Sequence, residues 1–532
     1  MHRTTIQALV LGAALAGAAS PALSQACATE RLASPIGAIE NEFGWSLDRD
    51  RDRFLITAPE ERAVDPITGQ GWGDDGGAYV VDLLPSGQFG LPQHLQWDAN
   101  SVFELGRYGA LDGEFVVLAE RAFPWAVDEL FAFRDGPQGF APEGVVSLPQ
   151  PAGFTLGGAG FDVENARLMV LVTQTDSSLG TSSSVLHTYL RSSGAWSLFQ
   201  SLDLNAAGAA SGLGREVKAE GDRLYVTFSS GELHSYSWTS TGWSPGAFLT
   251  VTQPGVYWGG HLDVQGGRIV SVGGQSGALL LHSVLDSGGV LSLESPGVLP
   301  STALEPSSVA VSGSRAAVGF HTVDLGVGEV ILLDDSSGSW QVTQTLRAAV
   351  PEARDWYGRG LCFTGDGRLL VGAPQNADGG ETDRGFVEVV EFEGANCAGL
   401  LVHPSSVSLS GFGAPVETTL VGPSSVGGLS YVVLFAASAS SPGIPLDGVF
   451  LPLTPDPLLL ASLEFANSSP FAATLGVLEA GGGSPDPQLI TLGLTAALAG
   501  QSFACAWLGF SLSSPPFGSF YASEARTVSF LP

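Results

Sequence analysis

Few side chains in this 532-residue chain stand where covalent chemistry needs them. The eight histidines, His2, His94, His187, His234, His261, His282, His321 and His403, form no His-Glu-x-x-His or His-x-His spacing, so zinc ligation is not expected. Gly274-Gln275-Ser276 runs into Gly277-Ala278, which reads as a hairpin turn and not as the strained strand-to-helix elbow of a nucleophilic serine. No catalytic residue is assigned. What the chain has in quantity is acid: 53 Asp and Glu against 22 Lys and Arg, a net charge of −31. A surface for nucleic acid or for an anionic membrane needs clustered cations, so that balance argues against both as partners. Carboxylates brought together by loops are the remaining chemistry, because paired acids can serve as general acid and base. Asp74 and Asp75 in one acidic loop, and Asp378 and Asp383 in another, are the candidate binding residues.

The elements that must carry those loops recur. Seven times a tight polar turn and one long polar residue precede an apolar run. The marker residues are Arg53, Glu114, Arg167, Arg223, Arg268, Arg315 and Arg368, and the runs include Phe54-Leu55-Ile56, Leu168-Met169-Val170 and Leu369-Leu370-Val371. A turn-rich period of about 45 to 60 residues without helical pattern belongs to propeller-like repeats. Within repeats, Ser193-Gly194, Thr241-Gly242 and Ser337-Gly338 mark hairpins, each followed by a tryptophan (Trp196, Trp243, Trp340) expected to pack between neighbouring repeats. With 71 Gly and 32 Pro and only 14% charged residues, the composition suits short strands and turns.

The ends differ from this pattern. Met1-His2-Arg3, the apolar stretch 6–19 and Ala22-Leu23-Ser24 read as a cleaved secretory signal over residues 1–24, which places the mature chain outside the cytoplasm: extracellular, periplasmic or on the cell surface. The apolar run 489–510 is interrupted by Gln501-Ser502 and reads as buried strands, not as a membrane anchor. Residues 400–532 hold one basic residue, Arg526, and short runs at 431–435, 458–465, 489–494 and 503–508, expected to be strands of a β-sandwich.

Phe43-Gly44-Trp45-Ser46 with Ala58-Pro59 and Gly76-Gly77-Ala78-Tyr79-Val80, and again Tyr357-Gly358 with Gly372-Ala373-Pro374 and Gly385-Phe386-Val387, resemble the FG-GAP repeat of integrin α-chain propellers and of secreted bacterial proteins. The middle copies lack Ala-Pro, and Gly413-Ala414-Pro415 lies outside any repeat. The resemblance implies a seven-bladed β-propeller of four-stranded blades over residues 25–399, followed by the sandwich over 400–532. Residues 441–446 and 451–457 are similar to a tail module of such secreted proteins. Repeats of this family often hold calcium in an Asp-x-Asp-x-Asp-Gly loop. Asp48, Asp50 and Asp52 alternate correctly, but Arg53 and Phe54 follow where glycine and a later acid belong, so no metal or other cofactor is assigned and these three remain weak calcium candidates.

The last repeat lacks its fourth strand, and Glu30-Arg31-Leu32-Ala33 is expected to supply it. That places Cys27 and Cys397 at the two ends of one interrupted hairpin, where a disulfide would restrain the ring. Cys362 and Cys505, in apolar stretches of different regions, are expected to be buried free thiols. Two functions fit these expectations. The first is a secreted, noncatalytic binding or adhesion protein that meets an extracellular protein or glycan through the loops 60–76 and 375–385. The second is a secreted hydrolase or lyase with a carboxylate-lined propeller mouth. Acids converging on a deep central pocket would favour the enzyme, and an open face with apolar or aromatic loop tips would favour binding.

Overall fold

A computed structural model describes residues 27–33 and 42–392, with 61–62, 65–70, 73–75, 86, 98–104, 121–128, 193, 206–211, 251–256, 276–277, 301–305, 349–353 and 376–384 left aside, together with short stretches of 399–531. The described residues of 27–392 form seven antiparallel sheets arranged as a propeller. Six blades run in chain order from first strand to last: blade 1 over 47–95, blade 2 over 108–147, blade 3 over 154–203, blade 4 over 214–250, blade 5 over 257–299 and blade 6 over 308–346. In blade 5 the outer position is shared by two short strands, Leu291–Leu293 and Gly297–Leu299, both paired with Ala278–Asp286. Blade 7 takes Leu361–Phe363, Leu369–Ala373 and Phe386–Glu391 from one end of the repeat array and Cys27–Ala33 from the other.

This closure is the one expected from the sequence. Leu32 pairs with Val387 and Arg31 with Glu388. The Arg31 guanidinium lies 3.0 Å from the fully buried Glu388 carboxylate and 3.8 Å from the centre of the Phe386 ring. The closing strand is thus held by a charge pair and a ring contact as well as by its ladder. Cys397 lies outside the described residues, and so does the proposed Cys27–Cys397 bond. Cys362 and Cys505 are buried free thiols, as expected.

The first strands neighbour one another around the axis, and Leu361–Phe363 of blade 7 returns to Leu47–Asp50 of blade 1. Second strands are covered on both sides by adjacent blades, which is why they read as unbroken apolar runs and not as alternation. Leu55, Ala78 and Val80 of blade 1 share one core with Leu111, Val116 and Phe131 of blade 2. Outermost strands such as Ala195–Asp203 alternate between half-buried and exposed.

The recurring turn and its marker residue act between blades. In each blade the turn joins the first strand to the second; the previous blade grips the turns of blades 2 and 4 from two directions and those of blades 3, 5 and 6 from one. Carboxylates at the ends of first strands accept turn amides. Asp50 takes the Gly113 N–H at 3.0 Å, Asp112 the Ala166 N–H at 3.1 Å and Glu164 the Gly221 N–H at 2.9 Å, while Glu220 takes those of Gly266 and Gly267 at 2.6 and 2.8 Å. Marker arginines donate to turn carbonyls: Arg53 to Gly113, Arg167 to Gly221 and Arg268 to Gly313. The same guanidinium groups lie over aromatic rings of the following blade, Arg53 over Phe140, Arg167 over Trp243 and Arg268 over Trp340. Trp243 and Trp340 are therefore interblade residues, as their place behind a turn predicts, with Trp196 half-buried edge-to-face against Phe115 of the preceding blade.

The glycines of Phe43-Gly44 and Gly76 have a second interblade task. Gly44 adopts φ +96°, and a Cβ there would stand 2.8 Å from the Phe386 carbonyl; at Gly76 it would stand 2.3 Å from the Leu105 backbone. Parallel bridges join Phe43 to Gly385 and Gly76 to Leu105, so the backbones of adjacent blades touch where only hydrogen fits.

Beyond 398 the described strands form two larger sheets and a two-stranded one, Ala439–Leu446 with Val449–Leu453. One larger sheet joins Gly399–His403, Val416–Val421, Gln488–Ile490 and Phe471–Ala472; the other joins Ser406–Ser408, Arg526–Leu531, Ser502–Ser511, Ser430–Ala436 and Leu475–Val477, with Gly518–Ala522 beside Ser502–Ser511. The strand expected over 458–465 is not formed in its described part. Residues 458–460 make a helical turn instead, because Asp456 caps it: its Oδ1 accepts the Leu459 N–H at 3.0 Å. No described helix is long and apolar enough to cross a membrane.

Candidate functional site

A central channel of ≈ 390 Å³ is lined by the first strands of the blades. These strands run from a mouth at Trp45, Arg107 and Arg359 to the interblade turns at the far end. Midway stands Lys218, the only lysine in the sequence. Its Nζ lies 3.2 Å from Asp48 Oδ1 and 3.4 Å from Asp162 Oδ1, with Glu216 and Asp263 also acting on it. Four carboxylates from blades 1, 3, 4 and 5 thus surround one ammonium. Burial pushes Glu216 up to about 8 and Asp162 up to about 6, while Lys218 pulls both down. Asp263 is raised by burial and opposed by Lys218, the Val311 N–H and Arg49.

Three of the four acids are also bonded to backbone of the next blade. Asp48 accepts the Leu111 N–H at 2.8 Å, Asp162 the Ala219 N–H at 2.7 Å and Asp263 the Val311 N–H at 2.7 Å. Arg49 donates to the Phe363 carbonyl across the closure between blades 1 and 7. Cys362 lies on the channel wall, its thiol pushed up to about 12 by burial, which keeps it protonated and unreactive.

The mouth has different chemistry. The guanidinium carbons of Arg107 in blade 2 and Arg359 before blade 7 lie 4.3 and 4.6 Å from the ring of Trp45, which precedes blade 1 between them. Trp45 is 4% exposed, meets Trp356 edge-to-face at 5.5 Å, and its buried Nε1–H has no acceptor. Arg359 is held below its ordinary value by burial, with Arg107 adding repulsion; Tyr108, through a hydrogen bond, and Glu42 act the other way. His261 and His321 are lowered to about 4, chiefly by burial and then by Arg359, so both are neutral at pH 7.

Asp74, Asp75, Asp378 and Asp383 lie outside the described residues. The bases of their loops are described, and they flank the mouth: Gly385 bridges to Phe43 and Gly76 to Leu105, each two residues before a mouth side chain. The first loop carries a small hairpin of Ala63–Val64 against Gly71–Trp72. The weak calcium candidates do not converge. Asp48 turns into the channel toward Lys218, Asp50 caps the blade 2 turn, and the Asp52 carbonyl accepts the Leu83 N–H. No group of His, Cys, Asp and Glu suited to a metal occurs among the described residues.

Asp162, Glu216, Lys218, Asp263, Arg107 and Arg359 were not singled out from sequence. A lone lysine among 53 acids was the available signal, as was the residue following each Phe-Gly-type pair, namely Trp45, Arg107 after Leu105-Gly106 and Arg359 after Tyr357-Gly358. His187, His234 and His282 recur on third strands, a spacing that marks repeat-core positions.

No protein-family model and no curated protein matches the chain. Among solved structures it is similar to a chain of the mitotic checkpoint complex (12% identity, 74% of this chain and all of that one, TM-score 0.42). It is also similar to the RRP9 WD40 repeats (11% identity, 69% and 100%, TM-score 0.40) and to a protein from Lactobacillus plantarum (13% identity, 57% and 84%, TM-score 0.37). The propeller rests on the strand pairing itself.

Proposed function

We propose that this is a secreted, noncatalytic binding protein, a propeller of FG-GAP-like repeats with a β-sandwich tail, whose mouth face meets an extracellular protein or glycan. The observation that supports this reading is the state of the channel acids. They do converge on a deep pocket, the arrangement that would favour an enzyme, yet Asp48, Asp162 and Asp263 each accept an amide of the next blade, and Lys218 fills the space between them. A hydrolase or lyase would need one acid and one base facing a substrate, and here three of the four acids, all but Glu216, would have to leave their bonds to the next blade first. The mouth, by contrast, presents donors and aromatic rings beside two long loops, which suits recognition.

The test is a binding screen of the intact protein against glycans and extracellular proteins, run beside a turnover screen with polysaccharides, esters and phosphodiesters. A captured partner whose affinity falls on alanine substitution of Asp74, Asp75, Asp378 or Asp383, with no turnover, is the expected result. Hydrolysis or elimination abolished by Asp162→Asn or Glu216→Gln would transfer the protein to the enzyme class.

A further inference from the structure

The rim of the ring is not uniform. On one side its outermost strands carry the usual safeguards of an exposed sheet edge. Blade 1 ends in the three-residue strand Gln93–Leu95, and that of blade 2, Gly139–Ser147, holds Pro142 and Glu143. That of blade 7, Cys27–Ala33, holds Glu30 and Arg31 and has Gly399–His403 beside it. On the other side the outer strands of blades 3 to 6 are Ala195–Asp203, Gly242–Thr250, Leu291–Leu293 with Gly297–Leu299, and Gln341–Leu346; Asp203 is the one charged residue in all five. Leu198, Phe199, Phe248, Leu293, Val298 and Val342 are exposed on them, Phe248 and Val298 each by 66%. The belt is continuous. Phe199 of blade 3 meets Trp238 of blade 4 at 5.6 Å, and the outer strands of blades 4 and 5, and of blades 5 and 6, lie side by side. Phe248 is braced from behind, stacked at 5.5 Å on His234, which in turn meets Phe228 edge-to-face. Single exposed apolar residues are ordinary, whereas a run of them across four adjacent blades with one charge among them marks a contact surface.

We propose that this belt is the contact between two copies of the chain, a two-fold dimer joined rim to rim. Three features favour a second copy over another partner. The first is charge. At a net −31 two copies repel wherever their acids face each other, and the belt lets them meet with one acid a side; charges farther off than about 8 Å are screened at physiological salt. The second is size. A nine-residue strand rises about 30 Å and neighbouring sheets stand about 10 Å apart, so four rims cover on the order of 800 Å², the area per partner of a standard interface. The third is symmetry: a two-fold axis lays the patch on itself, so an uncharged apolar surface finds its match without any other surface being required. Contact is through side chains and not by strand addition, because Pro245, the bulge at His234/Tyr236 and the break between Leu293 and Gly297 blunt the edges. Two mouths on one particle would multiply weak binding to a surface that repeats its ligand, and the pairing holds whatever the mouth binds.

Sedimentation velocity of the full chain over roughly 1 to 50 µM tests it. A monomer–dimer equilibrium should appear in that range, and added sodium chloride should tighten it, since screening lowers the repulsion and leaves the apolar contact in place. Phe199→Glu, Phe248→Glu and Val298→Glu should each weaken association by roughly tenfold or more. Near-ultraviolet circular dichroism should be retained in all three, because these side chains are exposed in the single copy. Leu91→Glu, at a comparably exposed apolar residue of blade 1, should leave the dimer intact. A monomer throughout the range, a dimer indifferent to the three folded variants or lost equally in Leu91→Glu, or one that weakens as salt is added would each overturn the dimer contact. So would a monomer that floats with phosphatidylcholine vesicles through the same residues, which would assign the belt to a lipid surface.

Discussion

The middle of the central channel and its mouth use charge in opposite ways. In the middle, charge is paired inside the ring: Lys218 sits among four acids, three of them also bonded to a neighbouring blade. At the mouth, Arg107 and Arg359 are stacked on Trp45 and held near one another against their mutual repulsion. The first arrangement is what a closed ring of blades needs, since backbone amides of first strands at the axis would otherwise lose their hydrogen bonds. The second sets two like charges beside one indole. Charge held in pairs marks architecture; like charges side by side mark chemistry that ring closure alone does not require.

The largest effect that would break this comparison is removal of the hub. Lys218→Met should destabilise the propeller by about 3–5 kcal/mol at neutral pH, because buried carboxylates lose their cation. The shift of the denaturation midpoint should shrink at pH 5, where Asp162, raised to about 6, is protonated in the folded protein as Glu216, raised to about 8, already is at neutral pH. If Lys218 is as enclosed as the ion pairs imply, an amine-reactive label should modify the chain at its amino terminus and spare Lys218 until the protein unfolds; rapid labelling of the native protein would contradict the hub. Next in size is Arg167→Ala, which removes an ion pair to Asp222, a bond to the Gly221 carbonyl and stacking on Trp238 and Trp243 at a 5% exposed site. A loss of about 2–3 kcal/mol is expected in the same assay.

The pH dependence sharpens the contrast further. His187, His261, His282 and His321 are lowered from 6.5 to about 4 by burial, so the folded protein binds fewer protons than the unfolded chain below pH 6.5, and stability is lost as pH falls toward 4. Asp162, Glu164 and Glu216 are raised to about 6, 7 and 8, so the folded protein keeps protons that the unfolded chain releases near 4, and stability is lost as pH rises toward 8. The melting temperature should therefore peak at about pH 6.5. Glu216→Gln should flatten the alkaline limb, and an unchanged limb in that variant would mean that the channel carboxyls titrate as exposed groups. The smallest effect belongs to the mouth: Arg359→Gln should change stability by less than about 1 kcal/mol, since the lost stacking is offset by relief of burial and repulsion. A loss as large as that of Arg167→Ala would make Arg359 another interblade residue.

Much of the ring was legible because its causes are local. Turn glycines, apolar second strands and the tryptophans behind hairpins each obey short-range rules, and the missing fourth strand of the last repeat could be counted from spacing. What the markers do was not legible, because Arg167 finds its partners Gly221 and Asp222 one blade later, and no spacing rule encodes a contact across that distance. The site failed for a related reason. Asp48, Asp162, Glu216 and Asp263 are ordinary strand acids in sequence, and they become a cluster only when seven first strands are arranged about one axis. Attention to loops such as Asp74-Asp75 followed the rule that function sits on loops, whereas the described cluster sits on strands and on the residues that follow Phe-Gly-type pairs. At 458–465 a single capping aspartate overrode an apolar pattern that reads as a strand.

The pairing of Arg31 with Glu388 has a consequence for how the ring comes into being. These partners are 357 residues apart, so a segment that emerges from the ribosome before blade 1 is needed by the blade that emerges last. Blades 1 to 6 can zip up locally as they appear, but the seventh waits on a loop closure whose entropy cost grows only logarithmically with length and whose search is nonetheless slow. Until then the edges of blades 1 and 7 stay open to pairing with other chains. The ring is therefore assembled in sequence yet completed in one act, and deleting either partner strand should leave an arc with two live edges, prone to join its neighbours end to end.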